Sequence, residues 1–328
     1  MPTRVPTRLA AVAVLLATLA TGCGKAGREE PARAAPAPSA TPSPVEVSAP
    51  GPSPSPSPSP AAPKEIAVPR GVTAGIVVYD RQTGTYAVNQ NATKRFRSAS
   101  IVKLWIVLDL MWEREAEAVP AADRARLDVM LRGSDDRIAI DFWRRGGQRA
   151  IVQRMVPRLG LTESAPPPAD KPGYWGYTVI STGDIVRTYR YLLERAPASV
   201  RDYVLGNLRQ AYRCATDRYD QSFGIAGALP RPFAVKQGWS GFGDTPAQPC
   251  ALSTAPAPGV PAAYEQRDNP PGLTDADMAG EVLHTTGTVG PDDRVIVVVL
   301  SLHPDGTSYA NATRTLTELT KSLPIPGR

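Results

Sequence analysis

The stretch Phe96-Arg97-Ser98-Ala99-Ser100-Ile101-Val102-Lys103-Leu104-Trp105-Ile106-Val107-Leu108-Asp109-Leu110-Met111 decides how the rest of the chain is read. From Ile101 onward it is an apolar run long enough for a buried helix. At its start sits the chain's only Ser-x-x-Lys, Ser100 to Lys103. On a helix these two side chains share one face, roughly one turn apart. A serine hydroxyl is a poor nucleophile until a neighbouring base takes its proton, and a lysine held as a neutral amine is such a base. Alone the pattern says little, because ordinary Ser and Lys frequencies give about one chance match in a domain of this size.

Two further motifs follow in order. Ser134-Asp135-Asp136 falls between a helical segment ending near Leu131 and another starting near Arg137. Lys236-Gln237-Gly238 falls on the strand-like run from Phe233 to Trp239. Ser-x-x-Lys, Ser-Asp-Asn and Lys-Thr-Gly, in that order, form the motif set of class A β-lactamases and penicillin-binding proteins. Over about residues 70–325 the chain resembles that superfamily of serine hydrolases. The first motif matches in full, the other two in two of three positions.

The resemblance implies roles. Ser100 would be the nucleophile, and its backbone N–H, with that of Trp239, would form an oxyanion hole. Lys103 would be the acylation base, alone or in a relay with Ser134, which would pass the proton to the leaving nitrogen. Asp136, Lys236, Gly238 and Trp239 would line the substrate site, with Lys236 holding the carboxylate common to penicillins and D-alanyl peptides. Simpler readings exist: serine caps helices well, and an edge-strand lysine is commonly a solvated one.

Three departures bear on activity. Asp136 stands where the family has asparagine, and a charged carboxylate both fails to donate a hydrogen bond and favours a protonated Lys103. Gln237 replaces a hydroxyl residue. The loop from Leu161 to Gly176 contains no Glu-x-x-Leu-Asn to supply a deacylation base, and Glu163 sits early in it, expected to face solvent.

The ends of the chain carry other signals. Arg4 and Arg8 precede an apolar run, Leu9 to Ala20, and then Thr21-Gly22-Cys23. This pattern is a secretion signal rather than a spanning helix, which needs about 20 apolar residues. The cysteine at the cleavage point resembles a bacterial lipobox, so residues 1–22 are expected to be removed and Cys23 to be lipidated. Residues 24–70 hold 13 of the 35 prolines, mixed with Ala and Ser, which makes 23–70 an extended spacer and 71–328 the folded domain. The expected location is the outer face of the cell membrane, in possible contact with peptidoglycan. With Cys23 assigned, Cys214 and Cys250 remain, and an oxidising compartment favours a disulfide between them.

The net charge of +6 is not gathered into one block, and no aromatic-basic platform for nucleic acid is present. Arg144, Arg145, Arg154 and Arg158 read as solvated helix faces. With only His284 and His303, a multi-histidine metal site is not expected, nor any cofactor. His284 reads as structural, and no Gly-x-Ser-x-Gly elbow supports a Ser-His-Asp hydrolase.

The expected fold is α+β, β-lactamase/transpeptidase-like: an antiparallel sheet built from both chain ends with a helical lobe inserted. Gly75–Tyr79 and Thr85–Val88 form a hairpin signal, helices fill 100–210, and strands return at 233–240, 279–289 and 294–302. A closing helix spans about 308–323. The lobe is trimmed relative to the family between Ser100 and Ser134. Function is then acyl transfer on a β-lactam or D-alanyl amide, with slow deacylation. The alternatives are a D,D-carboxypeptidase on peptidoglycan stem peptides and a silent cell-envelope binding lipoprotein.

Overall fold

A computed structural model describes residues 62–251 and 280–328. From the amino end the elements are β1 (Thr73–Asp80), β2 (Thr85–Gln90), β3 (Phe96–Arg97), α1 (Lys103–Leu110), α2 (Ala121–Gly133), α3 (Asp136–Arg145) and α4 (Arg149–Leu159). Then come β4 (Val179–Ile180), α5 (Thr182–Glu194), α6 (Ala198–Arg209), α7 (Ile225–Ala228), β5 (Phe233–Ser240), β6 (Glu281–Val289), β7 (Val295–His303) and α8 (Tyr309–Lys321). The signal, the lipobox and nearly all of the spacer fall outside the described residues. Ahead of β1, Ile66 is already buried and exchanges hydrogen bonds with the Gln90 side chain.

Five strands form one antiparallel sheet in the order β2-β1-β7-β6-β5, so strands from the two ends of the domain lie side by side at its centre. The unalternating run of β7 is explained by its two covered faces. Ile296, Val298 and Leu300 join the core of the helical lobe, whereas Val295, Val297 and Val299 join the core under α8 with Ala312, Leu316 and Leu319. The β1–β2 turn closes with Gly84 N–H donating to Asp80 O at 2.9 Å, and the positive φ of Gly84, 71°, suits the one residue without a Cβ.

The helix at Lys103–Leu110 is apolar on every side, as a helix through the middle of a core must be. Leu104, Trp105, Ile106, Val107 and Leu108 are all buried, and the Trp105 Nε1–H donates to Thr188 Oγ at 3.0 Å. Asp109, near its carboxyl end, would oppose the helix dipole if left alone. Arg154 and Arg158 of α4 meet that carboxylate at 2.6 and 2.7 Å. These two arginines, still partly solvated, are thus also cross-helix partners, and the exposed Arg145 pairs with Asp123 at 2.5 Å. A fixed carboxylate one helix away decides their placement, which helical periodicity alone does not reveal.

Candidate active site

Four devices bring the motif residues together. The small β3–β4 ladder and the Ser98 N–H bonded to Thr178 O at 2.8 Å fix the entry to the 3-10 turn Ala99–Val102 that carries Ser100. Ala99 holds a positive φ of 43°, a conformation that non-glycine residues adopt at a cost and that recurs at functional sites. Ser100 is thus in the turn leading into α1 and makes no capping bond there. Between α2 and α3, Ser134 is in the left-handed region (φ 56°), and Asp135 caps α3 by accepting from Ile138 N–H at 2.9 Å. That reversal turns Ser134 and Asp136 toward Lys103. Finally, β5 is the edge strand beside the 3-10 turn. A Cβ on Gly238 would lie 3.3 Å from Ser100 N, so glycine lets strand and nucleophile backbone approach.

The result is one hydrogen-bonded chain. Lys103 Nζ lies 2.8 Å from Ser100 Oγ, 2.6 Å from Ser134 O, 3.3 Å from Ser134 Oγ and 2.5 Å from Asp136 Oδ1. Lys236 Nζ donates to Ser134 Oγ at 2.8 Å and to Gln237 O at 3.2 Å. Both lysines are buried, as are Ser100 and Ser134, whereas the Asp136 side chain opens to solvent. Burial, and after it the charge of Lys103, pushes the Lys236 ammonium well below its ordinary range. The indole of Trp175 covers Lys103 Nζ, its centroid 4.7 Å away.

Gln237 faces the other way, as strand alternation requires. Its Nε2 donates to Phe223 O at 2.6 Å and Gln221 O at 3.1 Å, tying β5 to the segment before α7. Trp239 has the same parity, and its indole N–H donates to Asp217 Oδ2 at 3.0 Å. Burial, followed by the charge of Asp136, lifts the Asp217 carboxyl to about 6. Asp217 sits in a loop clamped onto the Ser134 reversal: Thr216 N–H donates to Gly133 O at 2.9 Å, and Gln221 Nε2 donates to Arg132 O at 2.7 Å. The Cys214–Cys250 disulfide closes that loop.

Sequence reasoning named Ser100, Lys103, Ser134, Asp136, Lys236, Gly238 and Trp239, and the structure gathers them in one place. It missed Trp175, over Lys103, and Asp217, bonded to Trp239, which come to the cleft only through tertiary folding. The cysteine three residues before Asp217 was the one available hint. Glu163 is elsewhere: it pairs with Arg95 at 3.4 Å, and its N–H donates to Asp184 at 2.9 Å. His284 is buried against the sheet, its Nε2 2.9 Å from Arg97 O and its Nδ1 accepting from Ser301 N–H at 3.2 Å, and burial pushes it down to about 4.

A cavity of about 560 Å³ lies away from this chemistry, where β5 begins and β6 ends, lined by Pro232, Val289 and Ile325 among others. It holds neither a paired nucleophile and base nor any residue of the three motifs, so the Ser100 cleft is the candidate site. Among the described residues no group of three or more His, Cys, Asp or Glu side chains is placed to hold a metal ion, and no helix is long and apolar enough to cross a membrane.

Comparison with known structures identifies the class. A class A β-lactamase from Mycobacterium abscessus superposes with a TM-score of 0.53 at 17% identity, covering 76% of this chain and 92% of that one. An ancestral class A β-lactamase gives 0.51 at 13% identity, covering 76% and 93%. A variant of PBP-A, in an acyl-enzyme complex with penicillin G, gives 0.52 at 13% identity, covering 77% and 89%. The fold is that of the class A β-lactamases and penicillin-binding proteins.

No family model matches the chain. Proteins named "Putative lipoprotein LppW" from Mycobacterium bovis and Mycobacterium tuberculosis are 33% identical over 257 residues, covering 76% of this chain and 69% of theirs. The chain belongs to the LppW family.

Proposed function

We propose that the protein is a serine acyl-transfer enzyme of the cell envelope, attacking a β-lactam or D-alanyl amide through Ser100 and releasing the acyl group slowly. The observation that carries this reading is the unbroken relay from Ser100 Oγ through Lys103 Nζ and Ser134 Oγ to Lys236 Nζ. A neutral Lys103 amine has two N–H groups, which Ser134 O and Asp136 accept, and a lone pair left for the Ser100 hydroxyl proton. Ser100 Oγ then bonds to the carbonyl carbon, the C–N bond breaks, and Ser134 hands its proton to the leaving nitrogen while Lys103, now an ammonium, returns the Ser100 proton to Ser134 Oγ. Water later cleaves the ester and regenerates Ser100.

A second reading rests on one contact. The 2.5 Å approach of Asp136 to Lys103 favours an ammonium, which cannot act as a base and suits a binding lipoprotein without turnover. Intact-mass spectrometry after treatment with several β-lactams separates the two. The enzyme reading expects a covalent adduct that Ser100→Ala abolishes, and an unmodified wild-type mass throughout overturns it in favour of the binder reading.

The same proposal places a cleaved signal at 1–22, a lipid on Cys23, a spacer at 23–70 and the domain at 71–328, in keeping with the LppW relatives being named lipoproteins. Labelling with a fatty-acid analogue tests the anchor, and Cys23→Ala is expected to remove the label.

A further inference from the structure

We infer that Arg97 is a positioning residue of the cleft: its buried guanidinium, with His284 behind it, sets the gap between the Ser100 and Trp239 N–H groups that would receive the oxygen of the attacked carbonyl. This rests on the proposed acyl transfer at Ser100 and adds to it a part that lies outside the three motifs.

The two N–H groups belong to separate pieces of chain, the 3-10 turn Ala99–Val102 and the edge strand β5, so no sheet ladder sets their separation. A pair of oxyanion donors works only when each is held to within about 0.5 Å of its place. Arg97 spans the two pieces. It lies on β3, three residues before Ser100, and its side chain is fully buried. Its Nη2 donates to Ser240 O at 3.2 Å, the carbonyl one residue beyond Trp239, and to Gly280 O just ahead of β6. Gly241, with φ 98°, leaves room for it, since a Cβ there would lie 3.2 Å from Nη2. The main chain of Arg97 is fixed from behind. Ser301 N–H donates to His284 Nδ1 at 3.2 Å, which makes Nε2 the protonated nitrogen, and Nε2 donates to Arg97 O at 2.9 Å. The strut thus runs from β7 through His284 of β6 to Arg97, and from Arg97 to the end of β5. It meets the main chain on both sides of the proposed oxyanion hole. Burying a guanidinium carries a desolvation cost that an apolar side chain of similar volume avoids, and only the forked guanidinium reaches both carbonyls at once.

Arg97→Lys keeps a charge and a donor but loses the fork, and Arg97→Met keeps the bulk alone. The burst rate as a function of nitrocefin concentration separates the acylation rate constant from the dissociation constant of the first complex. Infrared difference spectra of the acyl-enzyme formed with benzylpenicillin then report the ester carbonyl, whose stretch falls as hydrogen bonds to its oxygen strengthen. Acylation is expected to slow by about a hundredfold in Arg97→Met, as losing one oxyanion donor does, and by about tenfold in Arg97→Lys. The dissociation constant is expected to stay within about twofold, as it does when an interaction made only in the transition state is lost. In both variants the ester band is expected to move to higher wavenumber. If Arg97→Met yields no folded protein, Arg97→Lys alone decides. Wild-type acylation in a folded variant, a rate loss matched by weaker binding, or an unmoved ester band overturns the inference and leaves acyl transfer standing. Two variants that both fail to fold overturn it as well, because the arginine then serves the fold itself. A wild type that forms no adduct removes acyl transfer and this inference together.

Discussion

On the proposed acyl-transfer reading, activity turns on Asp136, because it touches the proposed base Lys103 and not the proposed nucleophile Ser100. Its carboxylate, 2.5 Å from Lys103 Nζ, stabilises the charged amine, and an amide there would not. Asp136→Asn is therefore expected to speed acylation of Ser100 by about tenfold, the effect of about 1.4 kcal/mol on the barrier. Burst kinetics with nitrocefin measure it, and a slower variant would mean that the carboxylate takes part in proton transfer. The histidines set a different residue-level effect. Burial pushes His284 and His303 from 6.5 down to about 4, so the unfolded chain binds more protons between those values. Their contribution to stability is complete above about pH 6.5 and is lost as pH falls toward 4. Asp217, lifted to about 6, acts in the opposite sense, stabilising the fold at low pH and losing that contribution as pH rises through 6. Each histidine costs about 2 kcal/mol between pH 7 and 5 and Asp217 returns about 1, a net loss of a few kcal/mol. Urea midpoints at the two pH values test this, and an unchanged midpoint would refute it. Ser100 and Lys103 were legible in the sequence because one helical turn fixes their separation. Trp175 over Lys103, and Asp217 beside Trp239, were not, because each contact joins segments that only the tertiary fold brings together.

Among the elements, the loop from Tyr212 to Phe223 matters most for the cleft. It donates to Arg132 O and Gly133 O at the end of α2, receives the Gln237 amide, and carries Asp217. Its covalent tie is the Cys214–Cys250 bond, which spans 36 residues. The pairing was readable from cysteine count and compartment. Its position was not, because it depends on Cys250 N–H reaching Arg218 O at 3.1 Å. Removing both cysteines is expected to cost about 2–4 kcal/mol by freeing the unfolded chain. It is also expected to loosen Asp217 before the sheet unfolds. Non-reducing peptide mapping checks the bond, and urea titration of Cys214→Ala/Cys250→Ala checks the cost. Two alkylatable thiols in freshly purified, unreduced protein would rule the bond out. By contrast, the hairpin, the edge strand β5 and the closing helix were all evident from turn residues and periodicity, which act locally.

At the scale of the whole molecule, the sheet assembled from both ends of the domain explains why acylation and deacylation can part company. The proposed acylating set comes from the 3-10 turn that carries Ser100, the start of α1, the α2–α3 reversal and β5, locked to one another by Ser134 and the two lysines. The loop from Leu161 to Thr178 packs beside them and brings Trp175, not a carboxylate, to Lys103. Its one glutamate, Glu163, is bound to Arg95, and the early part of the loop is pinned by Asp184, which accepts from Thr162 N–H, Glu163 N–H and Ser164 Oγ at 3.0, 2.9 and 2.7 Å. An ester on Ser100 would then meet no base placed for water on that side, and its hydrolysis becomes the slow step. The expected kinetics are a burst close to one equivalent followed by slow turnover, with the adduct persisting by mass after excess ligand is removed. Glu163→Gln is expected to change neither phase, because its carboxylate points to Arg95. Fast steady turnover without a burst would show that another group activates water. Asp217 is then the first to replace, since a carboxyl near 6 beside Trp239 is the one acid in the cleft lifted toward a base's working range.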